Sequence, residues 1–443
     1  MTIPPGVKLI SAAGVCPSPV WRRELIYRLS ILLLTFLAYT SYHLSRKPIS
    51  IVKNSKAFLN CPHNSDNTTS CTSWISQING KNEHEAKTYL GLLDTSYLFS
   101  YAFFMFGSGF IAERMDLRYF LSLGMICSGI FTFLFGFAYN AGIHSLWYLL
   151  AIQVILGMFQ ATGWPGVVSV MANWFGKGRR GLIMGLWNSH TSLGNILGSL
   201  IAGAFVNYNW GLSFTVPGMI IAVVGFLLFI FMVPKPSDVG LAESTNRSEA
   251  EGTEADSEAS PLMDNKESEE DEEPAFGRVQ VVGEERAIGF LGALKIPGVV
   301  EFSLSLFFSK LVSYTFLYWL PNLIHETSHV DAEESAVLST VFDMGGIIGG
   351  TLAGLISDNT GNPATTCAVM LIAAIPTMGL YDKVITKGGW CPITATNGIP
   401  IHNACFTWNI ILTLFTGTLV NGPYALITTA VSAELGNNLL ISL

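Results

Sequence analysis

The sequence predicts an all-α membrane protein built from two helical bundles, and three observations carry this prediction. Half of the 443 residues are hydrophobic and only 13% are charged, whereas soluble globular domains carry about 25% charged residues. Apolar stretches of about 20 residues, the length that crosses a bilayer as a helix, recur along the chain. Short motifs from the first part of the chain return at corresponding positions in the second part.

Ten apolar stretches are predicted to be membrane-spanning helices. They lie near residues 25–47, 89–112, 118–139, 145–172, 181–206, 211–233, 298–323, 334–357, 364–381 and 405–431. The predicted organisation is a cytosolic tail (1–24), a six-helix half (25–233), a hydrophilic linker (234–288) and a four-helix second half (289–443). A duplicated six-plus-six bundle has twelve helices, so we expect ten visible spans of twelve and a truncated second half.

The linker is the most hydrophilic part of the sequence. Residues Ser248–Glu273 contain 12 acidic residues and one lysine, which more than accounts for the net charge of −8 and leaves the rest mildly basic. A segment of this composition buries too little apolar surface to fold, so it is predicted to be a disordered tether.

Loop charges predict the orientation of the helices. Arginine and lysine cluster before the first span and near 112–118 and 174–181, while the intervening connections near 140–144 and 206–210 carry neither. By the positive-inside rule, the N-terminus, these basic connections and the linker face the cytosol. Four lysines break the pattern because they are predicted to occupy the first outside loop: Lys53, Lys56, Lys81 and Lys87.

The predicted outside loops also contain candidate modification sites. Asn67 begins an Asn-Thr-Thr sequon, so it is a predicted glycosylation site. Cys61 and Cys71 share one loop, and Cys391 and Cys405 share another. On the outer side of a membrane both pairs are candidate disulfides, with unpaired thiols as the alternative.

A charged turn follows the second predicted span and is partly repeated in the second half. Residues 109–118 read Gly-x-x-x-Glu-Arg-x-Asp-x-Arg, and residues 354–359 form a weaker copy that lacks the basic residues. Acid–arginine pairs in such a turn can hold one conformation by charge-assisted hydrogen bonds, although a solvated turn is the simpler alternative. The candidate conformational latch consists of Glu113, Arg114, Arg118 and Asp358.

Three cations lie within or beside apolar helices. Arg46 and Lys47 follow the first apolar run, and Lys310 lies inside the seventh span. Each costs roughly 2.5–3.5 kcal/mol at a bilayer centre, so the three together indicate a polar pathway for a negatively charged substrate. Two alternatives stay open: Arg46 and Lys47 reach the outer interface with their long side chains, or Lys310 is neutralised by an acid such as Asp343.

Several segments resemble the organophosphate:phosphate antiporters of the major facilitator superfamily. The charged turn at 109–118 is similar to that superfamily's signature loop, and the antiporter-like segments are Tyr42–Lys47, Gly163–Pro165, Asn173–Phe175, Arg179–Gly181 and Tyr318–Pro321. Three phrases look specifically like the eukaryotic sugar-phosphate exchangers, relatives of the endoplasmic-reticulum glucose-6-phosphate transporter: Ser45–Lys53, Ile196–Gly203 and Leu311–Leu320. The resemblance runs from about residue 20 to residue 436 outside the linker.

The resemblance implies a set of substrate-binding residues. Arg46 falls on the phosphate-binding arginine of the family's first helix, and Lys47 falls on the basic residue after it. The second arginine of the bacterial relatives falls at Ser313, and Lys310 lies three residues earlier on the same helical face, where it can substitute as a point charge.

A fifth-helix histidine of the same relatives falls at Thr191, with His190 one residue away. Neighbouring residues point about 100° apart around a helix, so His190 is either a displaced ligand or a hydrogen-bonded packing residue. Both residues are kept as substrate-binding candidates.

The function expected from this resemblance is exchange of a sugar phosphate, glucose 6-phosphate, for inorganic phosphate by alternating access in the endoplasmic-reticulum membrane. A lysosomal or plasma membrane is the alternative location. The alternative functions are a proton-coupled organic-anion carrier, which needs a titratable acid such as Asp94 or Asp343, and a truncated non-transporting form. The expected partners are the sugar phosphate, inorganic phosphate and the lipid bilayer. No enzyme constellation, metal cluster, cofactor motif or nucleic-acid surface is recognised in the sequence.

Overall fold

The computed structural model describes residues 3–12, 20–55, 58, 83–175, 186–241, 292, 294–328, 330–385 and 402–428. These residues form thirteen α-helices and one short 3₁₀ turn, Pro236–Val239. The helices are α1 Pro5–Ala12, α2 Val20–Arg46, α3 Pro48–Val52, α4 Glu83–Ala112, α5 Leu117–Asn140, α6 Leu146–Gln160, α7 Gly163–Trp174, α8 His190–Val206, α9 Leu212–Phe231, α10 Val299–Ser328, α11 Ala332–Thr360, α12 Pro363–Ile385 and α13 His402–Leu426.

Each of the ten predicted apolar stretches contains a described helix. In the described part of the chain, seven helical segments are long and apolar enough to cross a membrane, and α8 is a shorter apolar helix. The predicted sites Asn67, Cys61, Cys71 and Cys391 lie outside the described residues, and so does the side chain of Cys405.

The predicted span near 145–172 is made of two helices, α6 and α7, and a separate short helix, α3, continues the predicted span near 25–47; a proline lies in the first turn after each break. Pro165 has no amide hydrogen, so the carbonyl of Ala161 lacks its helical donor. The hydroxyl of Ser108, on α4, donates a hydrogen bond of 2.9 Å to that carbonyl. Pro48 separates α2 from α3 in the same way, directly after the two cations of the first span.

Helices α2–α9 belong to the predicted first half and α10–α13 to the predicted second half. Two hydrophobic clusters fill the first half, one near the predicted cytosolic end and one near the predicted outer end, and a third fills the second half. Helices α11 and α13 approach closely through glycine: a Cβ added at Gly349 would collide with the carbonyl of Thr418. Small residues at such crossings allow backbone-to-backbone packing in membranes.

The two halves are joined on the predicted outer side. The outer hydrophobic cluster includes Ala332 and Ala336 of α11 together with Ala202 and Val206 of α8. On the opposite side of Asp343, a cavity opens between the start of α8 and helices α11 and α13. The structure therefore has its halves in contact on the outer side and a cavity between them toward the predicted cytosolic side.

Candidate functional site

Four buried or half-buried cations lie where the two halves meet. Arg46 ends α2, Lys47 precedes α3, Lys53 follows α3, and Lys310 lies on α10. Arg46, Lys47 and Lys53 are 6%, 1% and 0% exposed, and Lys310 is half-buried. None of the first three side chains reaches the outer interface, so the alternative in which Arg46 and Lys47 extend to the membrane surface is wrong for this conformation.

Lys47 is paired with a carboxylate of the other half. Its Nζ lies 4.0 Å from Oδ2 of Asp343 on α11 and donates a hydrogen bond of 3.2 Å to the carbonyl of Leu317 on α10. Pro321 lies four residues after Leu317 and has no amide hydrogen, so this carbonyl has no helical donor. The proline of the Tyr318–Pro321 motif thus leaves an acceptor available for Lys47.

The carboxylate of Asp343 is hydrogen-bonded to the first half as well. Its Oδ1 accepts a bond of 2.8 Å from the amide of Asn195 on α8, and the Asn195 carbonyl oxygen lies 3.2 Å from Nδ1 of His43 on α2. All of these side chains are buried. Asp343 is therefore satisfied by two residues of the opposite half, and it joins the halves near the middle of the bundle.

Lys53 is a correction to the sequence prediction, which assigned it to the first outside loop. The side chain is buried and forms an ion pair with Asp94 on α4. Its ammonium group lies 4.0 Å from the ring centroid of Trp319 and 3.4 Å from the carbonyl oxygen of Tyr318. The short helix α3 continues the first span past Pro48, and this extra turn carries Lys53 into the contact between the halves.

Arg46 is held by neutral groups. Its Nε donates a hydrogen bond of 2.5 Å to Oε1 of Gln160, which also accepts a bond of 2.8 Å from the Tyr97 hydroxyl. The amide nitrogen of Gln160 donates to Ser45, at 2.8 Å. The guanidinium carbon lies 4.8 Å from the ring centroid of Tyr101, and Nη2 has no hydrogen-bond partner among the described residues.

Lys310 is surrounded by tyrosines. Its Nζ donates a hydrogen bond of 3.1 Å to the Tyr314 hydroxyl and lies 4.4 Å from the ring centroid of Tyr424. The Tyr314 hydroxyl also interacts with Arg46, and Tyr101 lies within electrostatic range of both cations. Arg46 and Lys310, from opposite halves, therefore converge on the same tyrosines. The alternative in which Asp343 neutralises Lys310 is wrong, because Asp343 pairs with Lys47.

The four cations thus divide into two kinds. Lys47 and Lys53 each lie within 4.0 Å of a carboxylate. Within the part of the chain that the structure describes, Arg46 and Lys310 have no carboxylate within that distance and contact only amide, hydroxyl and aromatic groups. A buried cation without an anion is unstable in a dry interior, so the second kind is suited to bind an anionic ligand.

Two of the remaining substrate-binding candidates, Thr191 and Ser313, lie at or next to the cavity on the predicted cytosolic side. Thr191 and Asp343 line the cavity on the predicted cytosolic side, and Ser313 donates a bond of 3.1 Å to Asn421, another lining residue. His190 is fully buried, and its ring packs 4.4 Å from Trp187 and 4.7 Å from Tyr39 between centroids. Its surroundings are those of a packing residue.

The candidate latch residues lie at the predicted cytosolic ends of their helices. Glu113 and Arg114 are more than half exposed and 4.0 Å apart, and Asp358 is exposed near the end of α11. Arg118 is buried and donates a bond of 3.0 Å to Tyr119. In this conformation the Glu113–Arg114 pair is therefore solvated, and an exposed ion pair contributes little to stability.

Comparison with known proteins agrees with this architecture. The model of the Major Facilitator Superfamily matches residues 68–437. A glucose-6-phosphate exchanger, SLC37A2 of Danio rerio, is 49% identical over 99% of this chain and 83% of the relative. The human SLC37A2 exchanger is 48% identical over 96% of this chain and 83% of its own length, and the human SLC37A1 exchanger is 44% identical over 98% and 84%.

The chain belongs to the glucose-6-phosphate exchanger family of the major facilitator superfamily. The family consists of membrane transporters and not of enzymes. Solved structures share the fold at low sequence identity. The xylose transporter XylE of E. coli in a partially occluded inward-open conformation has a TM-score of 0.58 at 14% identity and covers 94% of this chain and 88% of its own. A bacterial homologue of the lysosomal transporter Spinster has a TM-score of 0.55 at 17% identity, over 94% of this chain and 79% of its own.

Several residues of the site were not singled out by the sequence analysis. Gln160 accepts the hydrogen bond from Nε of Arg46 and is itself bonded to Tyr97 and Ser45. Tyr314 and Tyr101 lie close to both Arg46 and Lys310. A signal for the glutamine exists: Gln153 and Gln160 are seven residues apart in an otherwise apolar helix, so they lie on one helical face. Two amides on one face of a membrane helix indicate a polar interior.

Proposed function

We propose that this chain exchanges glucose 6-phosphate for inorganic phosphate by alternating access, with Arg46 and Lys310 holding the phosphoryl group between the two halves. Curated relatives at 44–49% identity over nearly the whole chain are named glucose-6-phosphate exchangers. The observation that carries the proposal is that Arg46 and Lys310, which have no carboxylate of the described residues within 4.0 Å, converge on Tyr314 from opposite halves.

The charge of the ligand matches the charge of the site. A phosphate monoester carries about −1.5 to −2 at neutral pH and offers three strong acceptor oxygens. Two cations, one able to bind in a bidentate fork and the other as a point charge, balance that charge. Because either phosphate species neutralises both cations, the loaded carrier can rearrange, while the empty carrier is held back by uncompensated charge. This difference supports obligatory exchange.

The proton-coupled alternative needs an unpaired acid in the pathway. Asp94 pairs with Lys53, and Asp343 pairs with Lys47 and accepts a hydrogen bond from Asn195. A carboxylate that is neutralised by a buried lysine is a poor site for carrying a proton through the transport cycle. The pairing therefore favours phosphate exchange over proton coupling.

The charged turn and the cellular location belong to the same proposal. Glu113, Arg114, Arg118 and Asp358 would form a cytosolic latch when the halves close on that side, because they lie at the predicted cytosolic ends of their helices. The resemblance to the endoplasmic-reticulum transporter supports that membrane as the location.

The decisive experiment uses the purified chain in liposomes loaded with inorganic phosphate, with uptake of labelled glucose 6-phosphate as the readout. We expect uptake that depends on internal phosphate and is independent of a pH gradient. Arg46→Ala should abolish it. Arg28→Ala is the matched control, because Arg28 lies on the same helix but pairs with Glu24, and both side chains are partly exposed. Full uptake by Arg46→Ala would overturn the proposed clamp, and uptake driven by a pH gradient without internal phosphate would favour the proton-coupled carrier.

A further inference from the structure

A second polar region adjoins Arg46 on the predicted outer side. A small cavity there is lined by residues of both halves, among them Arg46, Asp94, Gln153 and Tyr318. Two of its lining side chains carry a buried polar atom with no hydrogen-bond partner among the described residues, Nη2 of Arg46 and Oδ1 of Asp94. A donor and an acceptor left unsatisfied beside one cavity indicate a place for a polar ligand, since unpaired buried polar groups are costly.

The orientation of Asp94 is fixed by its ion pair. Oδ2 is bonded to the ammonium group of Lys53, and Lys53 is in turn held over the Trp319 ring and against the Tyr318 carbonyl. Asp94 is 6% exposed, so it has little freedom to turn toward solvent. Only Oδ1 remains as an acceptor, and it belongs to a residue of the cavity wall.

The chemistry of the two unsatisfied atoms is complementary. The guanidinium group of Arg46 attracts a phosphoryl group, whereas a carboxylate oxygen repels it and accepts hydrogen bonds from hydroxyl groups. A ligand that carries both a phosphoryl group and hydroxyls would therefore bind in one orientation, with its hydroxyls toward Asp94. Inorganic phosphate has no sugar hydroxyls, and its own P–OH group lies next to the oxygens that Arg46 holds, so it gains less from Asp94 than a sugar phosphate does.

We infer that Asp94 is a specificity-determining residue that accepts a hydrogen bond from a sugar hydroxyl and so distinguishes sugar phosphates from inorganic phosphate. This inference rests on the proposed exchange function. The free space in the cavity is about 20 Å³ in this conformation, which accommodates one water molecule and not a sugar ring. The sugar contacts Asp94 only when the halves move apart on the outer side.

The test compares two exchange reactions of the same reconstituted chain. Asp94→Asn should raise the concentration of external glucose 6-phosphate that gives half-maximal exchange by about 10- to 100-fold, which corresponds to the loss of one hydrogen bond to a charged acceptor. Exchange of labelled for unlabelled inorganic phosphate should stay within about threefold of the unaltered chain in Lys53→Met/Asp94→Asn, in which no buried lysine is left without its carboxylate. The phosphate reaction also shows that the variant is folded and inserted.

Two further variants separate specificity from a structural role. Asp343→Asn removes the other lysine-paired carboxylate, whose two oxygens are both engaged, and should reduce the two reactions equally. In Lys53→Met/Asp94→Asn the ion pair is removed as a unit. If Asp94 only neutralises Lys53, Asp94→Asn impairs both reactions alike and the double variant restores both, which would overturn the inference. A selective loss of glucose 6-phosphate exchange that persists in the double variant supports it. Absence of both reactions in the unaltered chain would overturn the proposed function itself.

Discussion

The isosteric substitution Gln160→Glu tests whether a phosphoryl group can bind Arg46 because the side chain that holds Arg46 is a neutral amide and not a carboxylate. Oε1 of Gln160 lies 2.5 Å from Nε of Arg46 and also accepts from Tyr97. Replacing the amide nitrogen by oxygen converts the neutral acceptor into an anion without changing its size. The Ser45 hydroxyl, which now accepts from Gln160, would have to donate to the new carboxylate instead of to the carbonyl of Tyr42.

The magnitude follows from the geometry. Two unit charges 4 Å apart interact by about 4 kcal/mol at an effective dielectric constant of 20, and each 1.4 kcal/mol is about a tenfold change in affinity. The new carboxylate pairs with Arg46 and repels the incoming phosphoryl group. We therefore expect Gln160→Glu to raise the concentration of glucose 6-phosphate that gives half-maximal uptake by at least about 100-fold.

The assay is concentration-dependent uptake of glucose 6-phosphate into phosphate-loaded liposomes. Gln160→Met is the control, because it removes the same hydrogen bonds without adding a charge and should cost only about tenfold. Equal effects of the two variants would mean that orientation of Arg46, and not its charge, decides binding. Uptake by Gln160→Glu within about threefold of the unaltered chain would refute the reasoning.

Three other outcomes are expected. Lys310→Met should abolish glucose 6-phosphate uptake in liposomes, whereas Lys310→Arg should retain part of it because it keeps the charge. Asp343→Asn leaves Lys47 buried without an anion, which should destabilise the conformation closed on the outer side by about 3–5 kcal/mol. Removing both charges in Lys47→Met/Asp343→Asn should destabilise that conformation less. The rate at which a cysteine placed at the outer contact is labelled reports the difference between the two variants. Gly349→Ala should lower the thermal unfolding midpoint in detergent, since the added methyl group meets the Thr418 carbonyl and overpacking costs about 1–3 kcal/mol.

Much of the fold was predictable because hydropathy acts locally. The predicted stretch near 334–357 is helix Ala332–Thr360, and the stretch near 211–233 is helix Leu212–Phe231. The helix breaks were harder to predict. A proline such as Pro165 weakens a helix wherever it occurs, but whether the chain kinks or stops depends on a partner for the freed carbonyl, and here that partner is Ser108 on another helix.

The site was predictable only in part. Arg46 and Lys310 could be selected from the sequence because charged residues in apolar helices are costly anywhere in a membrane. Lys53 was assigned to a loop since the five residues after Lys47 are too few to count as a span. Its burial depends on Asp94, Tyr318 and Trp319, which come from two other helices.

The amino-acid sequence by itself determined that this protein is a helical membrane transporter with positive charge in its interior, because hydrophobicity and the cost of a buried charge are properties of single residues and short segments. The tertiary structure decided which charges are compensated. Lys47 and Asp343 are far apart in the chain, and so are Lys310 and the first-half tyrosine Tyr101. Pairing is a property of distance in space, so only the packing of the two halves shows that no carboxylate of the described residues lies within 4.0 Å of Arg46 or Lys310.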